Sequence, residues 1–198
     1  RMSAPRRPQT RTVRAALDTD AQYGAVVPPI VLSSTFTFAG FGERRTYDYS
    51  RSGNPTRDAL GAAIADLEGG AGGIITTTGM GAVNLAAVLA GPGQLIVAPH
   101  DCYGGTFRLL SALQRTGRAD VRFVDMTDPV ALGNALAAHP RLVWVETPSN
   151  PLLRITDIAA VSAAAHAKGA LVAVDNTFMS PGWQQPLALG ADLVVHST

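Results

Sequence analysis

Cysteine, charge, long apolar runs and lysine are all scarce in this sequence, and each scarcity excludes something. A single cysteine, Cys102, leaves no intrachain disulfide to hold the fold, which suits a reducing compartment. Charged residues make up only 16% of the chain and the formal net charge is +1, which argues against a nucleic-acid surface driven by bulk charge. The apolar runs fall far short of a membrane span, and the start carries no signal-peptide-like stretch. A soluble, cytoplasmic protein with neither a membrane nor a nucleic-acid partner is therefore expected. Lysine occurs once, as Lys168 in a Lys-Gly helix end, where a solvent-facing charge complements the helix dipole.

What is present is apolar. With 198 residues and 46% hydrophobic content, the chain suffices for one large domain or slightly more, with a sizeable core. Basic residues gather from Arg1 to Arg14, but Asp18 and Asp20 follow and no basic helix develops, so a solvated flexible arm is expected. Residues 1–53 carry little periodicity and many turn formers, with Phe36, Phe38, Phe41, Tyr47 and Tyr49 as apolar anchors. They read as an extended arm lying on another surface, either the chain's own domain or a neighbouring subunit.

From Asn54 the pattern changes, and residues 54–198 read as an α/β domain. Asn54-Pro55 starts a helix that Gly69-Gly70 ends, with Leu60, Ala63, Ile64 and Leu67 on one face. Short apolar runs then alternate with helical segments. Strands are expected at 73–77, 94–98, 121–125, 142–146, 170–174 and 192–195, and helices at 80–90, 106–115, 129–138 and 158–168. This alternation predicts a mostly parallel sheet covered by helices on both faces. In such sheets, ligands bind beyond the carboxyl ends of the strands.

Chemistry-bearing residues fall at those ends. Thr78-Gly79-Met80-Gly81 opens a helix with glycines that let a backbone approach an anion, although a plain tight turn explains the same residues. It is neither a Walker sequence nor a dinucleotide fingerprint, since Asn84 stands where a third glycine should, and this disfavours a Rossmann-type nucleotide binder. Tyr103, between a strand end and a Gly-Gly helix entry, offers a ring face to a planar ligand, or is an ordinary half-buried tyrosine. Cys102 reads as a small buried residue. His100 and Asp101 lack further ligands at metal-site spacing, so no metal is expected. Asn150 is held between prolines after the Glu146 strand, Asp175 and Thr177 follow another strand, and Ser197 follows the last. Tyr49 and Arg51, two residues apart in a segment read as extended, would point to one side and donate to phosphate oxygens. Each signal is weak alone. Together, an acid for a ring nitrogen, an amide, an aromatic face and several phosphate donors suit pyridoxal 5'-phosphate.

The same residues carry a resemblance. Tyr-Gly-Ala-Val-Val-Pro-Pro-Ile at 23–30, Tyr-Ser-Arg-Ser-Gly-Asn-Pro-Thr at 49–56, Thr-Gly-Met at 78–80, Asp-Cys-Tyr-Gly-Gly-Thr at 101–106, Glu-Thr-Pro-Ser-Asn-Pro at 146–151, Val-Asp-Asn-Thr-Phe at 174–178 and His-Ser-Thr at 196–198 resemble the trans-sulfuration (Cys/Met metabolism) enzymes that use pyridoxal phosphate. Gln22-Tyr23-Gly24, Asp48-Tyr49-Ser50-Arg51 and Ala98-Pro99-His100-Asp101 are most similar to the family's bacterial cystathionine γ-synthases.

The resemblance implies an aspartate-aminotransferase-like (fold type I) domain with an extended N-terminal arm. It implies that Asp175 pairs with the pyridine nitrogen and that Tyr103 stacks on the ring and assists proton transfer. Gly79, Met80 and Ser197 would hold the phosphate, and Asn150 and Thr177 would lie near the ring. Tyr49 and Arg51 would reach the cofactor phosphate of a neighbouring subunit, within a homotetramer built from dimers. The implied reaction is γ-replacement in methionine biosynthesis, joining an O-acylhomoserine, O-succinyl-L-homoserine first, to L-cysteine to give L-cystathionine. The γ-lyase, β-lyase and O-acylhomoserine sulfhydrylase reactions stay open beside it, as does a non-catalytic binding or scaffold module. The family's Schiff-base lysine is expected one or two positions after Thr198, where the sequence is expected to be cut short.

Overall fold

The computed structural model describes residues 7–198; Arg1 and Arg6, and the part of the basic arm they belong to, lie outside the described residues. Two compact units divide at Ile75.

The first unit holds helices α1 (Pro8–Val13) and α2 (Pro55–Glu68) among loops. Helix α2 starts and stops as its residues dictate. The Asn54 side chain accepts the Thr56 amide at 2.9 Å, Pro55 begins the first turn, and Gly69 closes the helix at φ 74°. The arm is not wholly extended: Arg11 and Arg14 are held by Asp66 and Asp18 at 3.1 and 2.6 Å, so these two guanidiniums are not free in solvent. Among the described residues of this unit few large apolar side chains are buried, and Tyr23, Val26, Val27, Ile30, Leu32 and Phe41 are exposed.

The expected strand at 73–77 does not form. A strand requires a ladder partner, and this segment takes α2 instead: a Cβ on Gly61 would stand 2.7 Å from the Gly73 carbonyl oxygen. That close approach, possible only between two glycines, lays the backbone against the helix and leaves Ile74 exposed.

The second unit, Thr76–Thr198, is a five-stranded parallel sheet. Its strands are β1 (Leu95–Pro99), β2 (Asp120–Val124), β3 (Leu142–Glu146), β4 (Leu171–Asp175) and β5 (Leu193–Val195), in the order β2-β1-β3-β4-β5. Side chains alternate between the faces. Val97, Val143, Val145, Val172 and Val174 face one way and pack on α5 (Pro129–Leu136) and α6 (Ile158–His166) through Leu132, Leu136, Ile158 and Val161. Ile96, Ala98, Leu142, Trp144, Ala173 and Val195 face the other way and meet α3 (Gly79–Ala87) and α4 (Gly104–Arg115) through Val83, Ala86, Ala87 and Leu110. The sheet is thus covered on both faces, which is why its strands read as continuous apolar runs.

The order reverses at β1. The chain leaves β1 toward β2 on one side and returns to β3 on the other, so the loops after β1 and β3 part in opposite directions. Such a switch point opens a crevice at the carboxyl ends of the strands.

Candidate active site

A cavity of about 340 Å³ lies at that crevice. Seven of the nine residues nominated from the sequence line it: Gly79, Met80, Tyr103, Asn150, Asp175, Thr177 and Ser197. Glu146, Pro148 and Phe178 complete much of its wall.

Each wall residue is placed by an element end. Helix α3 starts at the cavity, with the Thr78 hydroxyl accepting the Gly81 amide at 3.0 Å. The amides of Gly79 and Met80, in its first turn, have no intrahelical carbonyl to meet and suit an anion. Gly79 is also a steric requirement, since a Cβ there would collide with Ser197. Ser197 is held by its own amide, which donates to the Thr177 hydroxyl at 3.0 Å, and the Thr177 amide donates to Asp175 Oδ1 at 3.0 Å. The ends of β4 and β5 are thereby coupled, with a carboxylate at one and a hydroxyl at the other.

Tyr103 lies at the start of α4, with its ring about half exposed. The ring occupies space that a side chain at residue 105 would need: a Cβ on Gly105 would stand 2.5 Å from Tyr103 Cε1 and 2.8 Å from Met80 Sδ.

Glu146 is the residue that sequence reasoning passed over. It ends β3, is only 5% exposed and stands in register with Asp175 on β4. Its Oε1 and Oε2 accept the Tyr103 amide at 3.0 and 2.9 Å, and Oε1 accepts the Asn150 amide at 2.8 Å. Burial pushes its carboxyl up to about 7; the two amides pull it down, and Asp175 and Asp101 add repulsion. The available signal was a carboxylate closing an otherwise apolar strand, Leu-Val-Trp-Val-Glu. A second tie joins the same loops, where Ser149 Oγ donates to Asp101 Oδ2 at 2.6 Å. Arg154, in the β3–α6 loop, donates to Asp125 beyond β2 at 2.8 Å.

Cys102 is buried, and burial first, with Glu146 next, pushes its thiol up to about 12, so it is no nucleophile at neutral pH. Lys168 is exposed at the end of α6 and does not line the cavity. Tyr49 and Arg51 belong to the first unit. They do lie together, with the guanidinium 5.1 Å from the ring centroid and donating to the phenol oxygen at 3.1 Å. The cause is a turn rather than an extended run, since the amides of Ser52 and Gly53 both return to the Tyr49 carbonyl.

The sequence matches the family of Cys/Met metabolism PLP-dependent enzymes over residues 9–198. The chain belongs to this family. It is 58% identical over 193 residues to cystathionine γ-synthase of Escherichia coli, covering 97% of this chain and 50% of that protein. It is 45% identical over 190 residues to cystathionine β-lyase of Lactococcus lactis, covering 96% and 50%. Among solved structures, cystathionine γ-synthase of Xanthomonas oryzae in complex with aminoacrylate and cysteine superposes with a TM-score of 0.93 at 58% identity, covering 98% of this chain and 50% of that one. The chain is thus homologous to PLP-dependent γ-synthases and lyases, has their fold type I architecture, and spans about half the length of the relatives it matches.

The cavity fits the family's cofactor. The free amides at α3 and the Ser197 hydroxyl suit a phosphate, Asp175 suits a protonated ring nitrogen, and Tyr103 offers a ring face. The missing side chains at Gly79 and Gly105 leave room for Ser197 and for the Tyr103 ring to stand where they do on the cavity wall.

Proposed function

We propose that the protein containing this chain is a cystathionine γ-synthase. It would bind pyridoxal phosphate in this cavity and replace the γ-acyloxy group of an O-acylhomoserine, O-succinyl-L-homoserine first, with the sulfur of L-cysteine. The carrying observation is the convergence of Asp175, Tyr103, Ser197 and the α3 amino end on one cavity at the switch point. The higher identity to a γ-synthase than to a β-lyase supports the synthase reading.

Bound here, the cofactor supplies an electron sink for charge developing on the amino-acid substrate. The chain's own residues would do the rest. Asp175 keeps a proton on the ring nitrogen, because a carboxylate beside it favours the cationic form. Gly79, Met80 and Ser197 fix the phosphate and so the register of the ring. Tyr103 covers one ring face and holds or moves a proton at its phenol oxygen. Asn150 and Thr177 orient the ring edge, and Phe178 narrows the opening to water. Tyr49 and Arg51 reach the phosphate of a neighbouring subunit's cofactor, with residues 1–53 as the arm that carries them in a cytoplasmic homotetramer.

The test is direct. The complete protein should bind pyridoxal phosphate, absorb in the near-visible range, and form cystathionine from O-succinylhomoserine plus cysteine faster than it consumes cystathionine alone. Asp175→Ala should fold normally and lose most turnover, at least about 100-fold. Full activity in that variant, or cystathionine consumption outpacing synthesis, would reject the assignment; the latter would favour the lyase reading that the β-lyase relatives support.

A further inference from the structure

Within the pyridoxal phosphate reading above, we infer that Glu146 is a positioning residue that clasps the Tyr103 and Asn150 loops together and so sets the width of the slot for the cofactor ring. The topology makes such a clasp necessary. The loops after β1 and β3 diverge at the switch point, and each carries one wall of the cavity: Tyr103 on the first, Pro148 and Asn150 on the second. Glu146 lies between them and accepts amides from both.

The clasp acts where side-chain capping does not. Helix α4 has no side-chain cap at Tyr103, so a carboxylate from another strand takes the amide at its start. Gly105 lets the Tyr103 ring fold back over the helix, and the Glu146 bonds fix the backbone from which that ring projects. Ser149 and Asp101 tie the same loops through a separate bond that does not line the cavity, so the two contributions are separable. The ionisable groups facing Glu146 are Asp175 from β4 and Asp101, Cys102 and Tyr103 from the loop after β1. A carboxylate held 5% exposed beside two others is poor design for stability alone.

Glu146→Gln tests this, because glutamine keeps the size but replaces one acceptor oxygen with an NH₂ donor that cannot receive an amide. In the complete, cofactor-free protein, hydrogen exchange at the Tyr103 and Asn150 amides should accelerate about 10- to 100-fold. The Val172 amide, bonded to the Asp192 carboxylate near the start of β4, should be unchanged. Pyridoxal phosphate affinity should fall about 10-fold, with kcat reduced more than KM is raised. The shorter Glu146→Asp should give intermediate values, and it carries the test if the glutamine variant is unstable. Ser149→Ala should leave the Tyr103 amide protected. Wild-type exchange rates at Tyr103 and Asn150 in either Glu146 variant, or deprotection of Tyr103 by Ser149→Ala alone, would overturn the inference. If the wild type binds no pyridoxal phosphate, the cofactor reading fails while the exchange comparison still decides the clasp.

Discussion

Cofactor-free protein should lose stability as the pH rises from about 4.5 to about 7, and Glu146 should be the cause. Its carboxyl is raised from 4.5 to about 7 in the fold, because burial disfavours the anion more than the Tyr103 and Asn150 amides favour it. Between those values the native state holds a proton that the unfolded state has released. The unfolded state binds fewer protons there, so unfolding becomes easier as pH rises. Each unit of the window is worth about 1.4 kcal/mol, which makes the full loss about 3 kcal/mol for complete expression of the shift. The window is separable from the acid limb. Asp125 is depressed to about 2, first by the Thr127 hydroxyl and amide, and its contribution is lost only as pH falls from its ordinary 3.8 toward 2. Urea unfolding at half-unit intervals from pH 4 to 8 measures the slope. Glu146→Gln cannot titrate and should flatten it while leaving the limb below pH 4 in place. A Glu146→Gln profile parallel to wild type across pH 4.5–7 would refute the reasoning.

The remaining expectations concern shape and packing. Gly79→Ala should displace Ser197 and weaken pyridoxal phosphate binding about 10-fold or more, read by absorbance titration, with little change in thermal unfolding of the cofactor-free protein. Gly105→Ala should push the Tyr103 ring off Met80 and lower kcat, with the new Cβ 2.5 Å from Tyr103 Cε1; unchanged tyrosine environment by NMR would contradict this. Leu110→Ala, at a side chain 1% exposed between α4 and the sheet, should cost about 2–5 kcal/mol in denaturant unfolding.

Local chemistry was legible wherever one strand or one cap decided the outcome. Leu142–Glu146 was readable to the residue, because a buried parallel strand is an unbroken apolar run and ends where polarity begins. Helix α2 was readable because Asn54, Pro55 and Gly69 specify its ends without help from elsewhere. The stretch at 73–77 misled because its apolar composition could not reveal that Gly61 would accept the Gly73 backbone in place of a ladder. Tyr49 and Arg51 were rightly paired for a mistaken reason, since the turn at Ser52 and Gly53 depends on hydrogen bonds that spacing does not encode. Strand order was not legible at all. Nothing in 142–146 says that β3 lies beside β1 rather than β2, and that adjacency is what brings Glu146 to Tyr103.

This explains why the sequence disclosed Asp175 and concealed Glu146. Asp175 is recognisable by what it would present to a ligand: a carboxylate at a strand end, half-buried and facing the cavity. Glu146 presents much of its charge to its own backbone, and its partners lie 43 residues earlier and 4 residues later. A structural account would make it an anchor retained for stability, but the pH argument gives the opposite sign: ionising it costs stability at the pH where its amide bonds are strongest. A group that weakens the fold while fixing two walls of the cavity is better explained by the geometry it imposes than by the energy it contributes. The two accounts diverge at high pH. If Glu146 serves stability, Glu146→Gln should unfold more easily than wild type at pH 8; if it serves the site, the variant should unfold no more easily there and still bind cofactor less tightly.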